Sequence, residues 1–303
     1  MDSTFRHTQI DLVSNSGSST KKFEHAGISS PKKLVKRSLF KEGEDDTRPH
    51  EKRLKIEKPT PALRRQWGPP QERYTMEYQV RLAGLVTLAV QKTRPFTCVI
   101  IKEFPIKKAE ETLYWCRRLR HNNIITALET FSTDNILYIA FEEMDATLGA
   151  LVACPAYPNE NQLGAILGQL LDALVYIKNE LVHSRLDCDQ VVLNKSGSVK
   201  IMAHEYRERA LGGSEDADTL KDLRCIILRL MYKSTSEPAV TVQGRWPKES
   251  KGYKFYVALG SVKSVLDLRQ HGLVQGERKK GLLQGLVRLT MVSIKPEYSV
   301  GLV

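Results

Sequence analysis

Along this chain the spacing of apolar residues changes character with position. Up to about residue 70 there is no sustained period: Ser, Thr, Lys, Glu and Pro dominate, aromatics are few, and the pattern predicts disorder. From about Tyr74 the texture turns β-rich. Val80 to Val90 and Thr97 to Ile101 carry β-branched and apolar residues around a turn signal at Thr93-Arg94-Pro95, which predicts a β-meander. A helix over 108–120 follows, with Leu113, Trp115, Cys116 and Leu119 on or beside one face. Ile124–Phe131 and Ile136–Phe141 read as two more strands about a turn at Thr133-Asp134-Asn135. The clearest helix comes next: behind Asn161 as N-cap, Leu163, Ile166, Leu167, Leu170, Leu171, Leu174 and Ile177 keep the spacing of a buried stripe. Further helices are predicted from about Leu220 to Met231 and from about Lys280 to Ile294. Strands first and helices afterwards give an α+β order.

Composition sets bounds on this picture. The 303 residues carry a net charge of +11 and 41% hydrophobic residues, room for one large domain and a non-globular portion. The five cysteines are scattered without a C-x-x-C pair, which argues against a disulfide framework or zinc site and for a reducing, intracellular compartment, cytoplasmic or nuclear. No apolar run is long enough to span a bilayer, and Met1–Arg6 lacks the apolar core of a signal peptide, so no membrane partner is expected. The basic excess would suit nucleic acid. No aromatics interleave with the basic runs, however, and a solvated basic surface plus a basic tail accounts for it. Within the tail, Lys32–Arg37 and Lys52–Lys55, with Arg64-Arg65 further on, have the form of nuclear-import clusters, and Ser30-Pro31 would suit a proline-directed kinase.

Candidate chemistry concentrates between residues 183 and 205. His183-Ser184-Arg185-Leu186 is followed by Gln190-Val191-Val192-Leu193-Asn194 and then by Val199-Lys200-Ile201-Met202-Ala203-His204-Glu205. This run resembles the catalytic loop and hairpin of protein kinases, H-R-D-L, four residues, N, two apolar strands, D-F-G. The scaffold letters are kept and the chemical letters are replaced. Arg185 stands in the place of the catalytic Asp, Gln190 in that of the metal-binding Asn, and Ala203 in that of the D-F-G Asp. Phosphoryl transfer needs a carboxylate near the acceptor hydroxyl and oxygen ligands for Mg²⁺. Arg185 is permanently cationic, Gln190 is one methylene longer than Asn, and Ala203 offers no ligand, so the catalytic and metal sets read as absent. Asp187, Asp189 and Glu205 are the nearby carboxylates.

The resemblance extends over about residues 74 to 300 and implies a nucleotide-pocket remnant. Gln79 to Val86 matches the glycine-rich loop but keeps only Gly84 and Val86. Val99-Ile100-Ile101-Lys102 resembles V-A-I-K; Lys102 is the phosphate-contacting lysine, and Ile100 puts extra volume in the adenine slot. Anchoring on His121-Asn122-Asn123-Ile124, similar to H-P-N-I, the lysine's Glu partner falls on Thr112, with Glu111 about 100° away around the helix. Leu137–Asp145 resembles the strand and hinge, with Phe141 as gatekeeper, Glu142 to Met144 as hinge and Val192 as the slot floor. Only Tyr206 to about Ala217, with a turn at Gly212-Gly213, separates Glu205 from the next helix, and no A-P-E is present. Asp218 is near the place of the Asp that starts the family's central helix, and strict counting gives Thr219. Ser264–Leu273 resembles a late C-lobe helix and turn, and the overall texture is similar to degenerate kinase-like proteins of filamentous fungi.

The expectation is a protein-kinase-like bilobal α+β fold: a basic tail at 1–72, a small β-rich N-lobe at about 73–144 and a helical C-lobe at about 145–303 with a shortened activation segment. The implied role is that of a pseudokinase, a scaffold or allosteric partner of another protein such as an active kinase, with no cofactor. Two alternatives stay open: an atypical ATP- and Mg²⁺-dependent kinase working through Asp187 or Glu205, and nucleic-acid binding through the tail.

Overall fold

The computed structural model describes residues 63–178, 186–202, 216–234, 244–276 and 281–293, with the backbone alone at 181–183, 206–208 and 215. The tail up to residue 62, with Ser30-Pro31 and the clusters at 32–37 and 52–55, lies outside the described residues.

The N-terminal half is one six-stranded sheet with a helix on one face. Strands β1 (Arg65–Trp67), β2 (Tyr74–Arg81), β3 (Leu85–Gln91), β4 (Cys98–Pro105), β5 (Ala127–Ser132) and β6 (Ile136–Glu142) are ordered β1-β5-β6-β4-β3-β2. All pairings are antiparallel except β1 with β5. The expected meander and the two strands after the helix are thus present, with the first apolar run divided by a turn at Leu82–Gly84. Helix α1 (Ala109–Arg118) lies between β4 and β5 in the chain and buries Thr112, Leu113 and Trp115. Folded structure begins before the expected boundary at 72/73: Leu63 is buried and β1 pairs with β5, so Arg64 and Arg65 belong to the sheet, not the tail. A strand this short carries no alternation to read, which is why sequence period missed it.

The C-terminal half is helical. After β7 (Ala146–Thr147) come α2 (Leu148–Ala153), α3 (Glu160–Lys178), β8 (Leu181–His183), β9 (Val191–Leu193), β10 (Val199–Ile201) and β11 (Tyr206–Glu208). Helices α4 (Glu215–Tyr232), α5 (Lys251–Ala258), α6 (Val265–Leu268) and α7 (Gly281–Ser293) complete it. Helix α3 is the axis: besides its leucine stripe it buries Gly164, Ala165, Gly168, Gln169 and Ala173, so neighbours surround most of it. Each fully buried Leu or Ile contributes about 1.5–3 kcal/mol, so the stripe is a substantial part of the C-lobe core. Its N-cap is Asn159, not the expected Asn161. The Asn159 Oδ1 accepts from the Gln162 amide at 2.9 Å and Gln162 Oε1 accepts from the Asn159 amide at 3.0 Å, a reciprocal capping box.

The two halves are stitched through the segment after α1. Ile124 forms a parallel bridge with Ile201; the Ile125 amide donates to the Ile201 carbonyl at 3.0 Å and the Ile201 amide to the Asn123 carbonyl at 2.9 Å. Under this seam lies a buried polar network. Asn123 Nδ2 donates to Gln169 Oε1 (3.1 Å) and to the Val199 carbonyl (2.9 Å); the Val199 amide donates to Gln169 Oε1 (3.0 Å), and Gln169 Nε2 to the Gly197 carbonyl (3.1 Å). A satisfied buried network fixes one arrangement of the groups it joins. No helix among the described residues is long and apolar enough to cross a membrane.

Candidate nucleotide cleft and catalytic-loop segment

The turn between β2 and β3 folds into the space between the lobes. The Leu82 amide donates to the Gly84 carbonyl at 2.9 Å, and Ala83 and Gly84 take positive φ of 51° and 99°. Glycine has no steric penalty there, whereas Ala83 is held in that conformation by its surroundings. The tight turn drives the Leu82 side chain inward, leaving it 6% exposed in one apolar cluster with Val86, Ile100, Phe141, Met144, Val192 and Met202. Lys102, on β4, donates from Nζ to the Ala83 carbonyl at 2.5 Å, and its ammonium lies 5.8 Å from the Phe104 ring centroid. A Cβ on Gly84 would stand 3.0 Å from Nζ, so the glycine gives the lysine room to reach the turn.

All eight residues expected to line the pocket remnant lie in this region, with differing roles. Val86, Ile100, Phe141, Met144 and Val192 pack directly on one another's cluster. Gly84 and Lys102 form the turn contact. Glu142 turns aside: its Oε1 accepts from Lys200 Nζ at 2.6 Å and from the Thr126 amide at 2.8 Å. The next acids are similarly committed to the β9–β10 hairpin. Glu143 pairs with Lys195 at 3.1 Å, and Asp145 Oδ2 accepts from the Lys195 amide at 2.6 Å. Burial pushes the Asp145 carboxyl above its ordinary value, against that hydrogen bond, while the bond to Glu143 raises Lys195.

On α1, Thr112 is buried and its Oγ1 donates to the Lys108 carbonyl at 2.8 Å, while Glu111 is exposed.

In the catalytic-loop segment the Asp187 carboxylate serves the backbone. Asp187 Oδ1 accepts from the amides of Asp189 (2.9 Å) and Gln190 (3.2 Å), an Asx turn that closes the loop on itself. Gln190 Oε1 faces the Asp187 amide at 3.4 Å, and the Gln190 carbonyl accepts from the Met202 amide at 2.8 Å. Asp189 Oδ1 lies against Gly149 of α2, only 1.8 Å from where a Cβ would stand, so a side chain there would displace it. Burial pushes the neighbouring Cys188 thiol up to about 12, which leaves it a packed apolar group. Arg185, Ala203, His204, Glu205 and the Gly212-Gly213 turn lie outside the described residues, and of His183 only the backbone is described, paired with Tyr206.

No family model matches the chain. Sperm motility kinase 3A of Mus musculus is 30% identical over 142 residues, 43% of this chain and 27% of the mouse protein. Human mitogen-activated protein kinase kinase kinase 5 is 29% identical over 126 residues, 38% of this chain and 9% of that one. Serine/threonine-protein kinase 36 of Pongo abelii is 26% identical over 100 residues. The chain is protein-kinase-like. The matches span 27% or less of these relatives' own lengths, and 43% or less of this chain.

One residue of this kinase-like fold was missed by counting along the sequence. Asp222, four residues beyond Asp218, accepts from the Leu186 amide through Oδ2 at 2.8 Å and so ties the catalytic-loop segment to α4. Asp218 is exposed. Helix α4 begins at Glu215, before the apolar periodicity that starts at Leu220. An Asp on the same helical face as Leu223 and Ile226 was the available signal, since a half-buried carboxylate on an apolar face needs a donor.

Proposed function

We propose that this protein-kinase-like chain is catalytically inactive and acts by binding other proteins, as a scaffold or allosteric partner. One observation carries the reading: Leu82 is buried in the interlobe cluster together with Ile100, Phe141, Met144 and Val192, beneath a turn whose Ala83 carbonyl accepts from Lys102. In the parent chemistry that space holds a flat base and that ammonium meets phosphates. A nucleotide would have to expel a buried leucine, at a cost of about 1.5–3 kcal/mol in lost burial alone, and break a short hydrogen bond.

The sequence adds support at Arg185, Gln190 and Ala203, where the working carboxylates and amide are replaced. The kinase alternative would recruit Asp187 for proton transfer, but its Oδ1 already holds two backbone amides of its own turn. No cofactor is called for. The other candidate partner, nucleic acid, would engage tail clusters outside the described residues. The five free cysteines support an intracellular setting, cytoplasmic or nuclear.

The test is thermal unfolding of the full chain with and without Mg·ATP, read beside a phosphotransfer assay on a generic protein acceptor. A ligand at ~100 times its Kd stabilises a fold by ~2.7 kcal/mol, so true binding would be visible. We expect no shift into the millimolar range and no transfer. A Mg²⁺-dependent shift with transfer that Lys102→Ala abolishes would overturn the reading.

A further inference from the structure

The N-terminal edge of the sheet carries the largest exposed aromatic of the described sheet. Trp67 is 74% exposed on β1, an edge strand with no strand on its outer side among the described residues. The Thr130 amide donates to the Arg64 carbonyl (3.3 Å) and the Gly68 amide to the Ser132 carbonyl (2.9 Å), so the even-numbered residues face β5. Alternate residues of a parallel strand point their backbone groups to opposite edges, so the N–H and C=O of Arg65 and Trp67 face outward. An open edge beside a large apolar side chain is a template for another strand.

The surface continues onto α1 through a chain of contacts. The Arg65 guanidinium lies 5.7 Å from the Trp67 ring and its Nη1 pairs with Glu110 Oε1 at 2.8 Å. One helical turn on, Tyr114 is 42% exposed, with the Arg118 guanidinium 5.7 Å from its ring and Nη1 donating to its hydroxyl at 2.5 Å. Trp, Tyr and Arg are the residue types that dominate binding hot spots. The charges are unbalanced: Arg64, Arg65, Arg117 and Arg118 outnumber Glu110 and Glu111, and all six are exposed.

We propose that this surface takes an extended, acidic strand of a partner protein, which pairs with the outer edge of β1, packs an apolar side chain on Trp67 and sets its carboxylates against the arginines. The proposal deepens the binding reading given above and rests on it for the chain's role, but not on the closed cleft.

The test titrates the full chain with fluorescein-labelled peptides of about eight residues, a common strand length. One has a Val/Ile centre flanked at both ends by Asp/Glu, so that acids fall on both faces of the strand, one carries Lys/Arg in place of the acids, and two are acidic peptides N-methylated at one or the other set of alternate amides. The acidic peptide is expected to bind, the basic one not, and one of the two methylation patterns to weaken binding by at least about tenfold by removing edge hydrogen bonds. Trp67→Ala and, separately, Arg64→Glu should each weaken it by about tenfold or more with an unchanged melting temperature, since both side chains are exposed. If Trp67→Ala shifts melting, Arg64→Glu decides. No binding of the acidic peptide, binding indifferent to both methylation patterns, or binding that both substitutions leave intact overturns the proposal. So does a homodimer seen by light scattering and abolished by Trp67→Ala, which would give the edge to a second copy. Phosphotransfer alongside intact peptide binding would remove the inactive-kinase reading and leave this surface standing.

Discussion

The Lys102 ammonium and the Ala83 carbonyl, 19 residues apart, meet at 2.5 Å across the top of the interlobe cluster. Lys102 sits on a strand whose neighbours Ile100 and Ile101 are almost wholly buried, and an ammonium there needs an acceptor. The turn supplies one by backbone alone. The same turn buries Leu82 in the interlobe cluster, so the burial of the leucine and the hydrogen bond of the lysine depend on one turn.

Leu82→Ala should therefore cost stability although it lies in a surface turn. Removing a buried leucine and leaving a partly collapsed void costs about 2–5 kcal/mol, and urea unfolding measures it. A loss below about 0.5 kcal/mol, usual for exposed positions, would mean that Leu82 does not fill the cleft.

Glu142→Ala should be worse than Lys200→Met. Lys200 is 8% exposed, and removing Glu142 strands its ammonium and the Thr126 amide together. Breaking a buried pair from one side costs about 3–5 kcal/mol, whereas Lys200→Met leaves the better-hydrated carboxylate with its amide donor and should cost about half as much. Equal losses in paired urea titrations would contradict this ordering.

Gln169→Leu should destabilise by about 2–4 kcal/mol despite its apolar surroundings. It leaves the Val199 amide, the Gly197 carbonyl and one proton of Asn123 Nδ2 without their present partners. Hydrogen exchange at Val199 should accelerate along with the loss; exchange unchanged from the parent would place the effect elsewhere.

Acidification should weaken the fold once pH falls below the ordinary imidazole value near 6.5. Burial lowers His121 and His271 below the ordinary imidazole value, and each Nδ1 accepts a backbone amide, Asn123 at 3.1 Å and Leu273 at 3.2 Å. The unfolded chain then binds more protons than the folded one in this window. Stability is full above the unfolded pKa near 6.5 and falls as pH drops through the lowered folded values. His121→Asn, which keeps an acceptor but does not titrate, should flatten part of the slope of melting temperature against pH. An unchanged slope would remove His121 from the account.

Period and spacing carried the helix core, because α3 keeps its leucines at helical intervals regardless of what surrounds them. They also carried most of the strands after Tyr74, since a run of apolar residues between turn signals is a local property, whereas Ile100, Phe141, Met144 and Val192 were singled out by the kinase resemblance. Other features were not legible. β1 is too short to show a period, and its existence depends on β5 presenting a free edge. The clasp of Glu142, Glu143 and Asp145 by Lys200 and Lys195 joins residues about fifty positions apart, and no window along the chain contains both partners.

By itself the sequence determined which side chains stand where the kinase resemblance puts the chemistry: Arg185, Gln190 and Ala203 in the places of the catalytic Asp, the metal-binding Asn and the D-F-G Asp. Tertiary structure alone decided that Leu82 joins the interlobe apolar cluster, that Lys102 reaches the Ala83 carbonyl, and that Asp222 is the carboxylate tied to Leu186. The reason is physical. Residue type is fixed by covalent chemistry, whereas burial and hydrogen-bond partnership depend on which distant segments the packed core brings within reach.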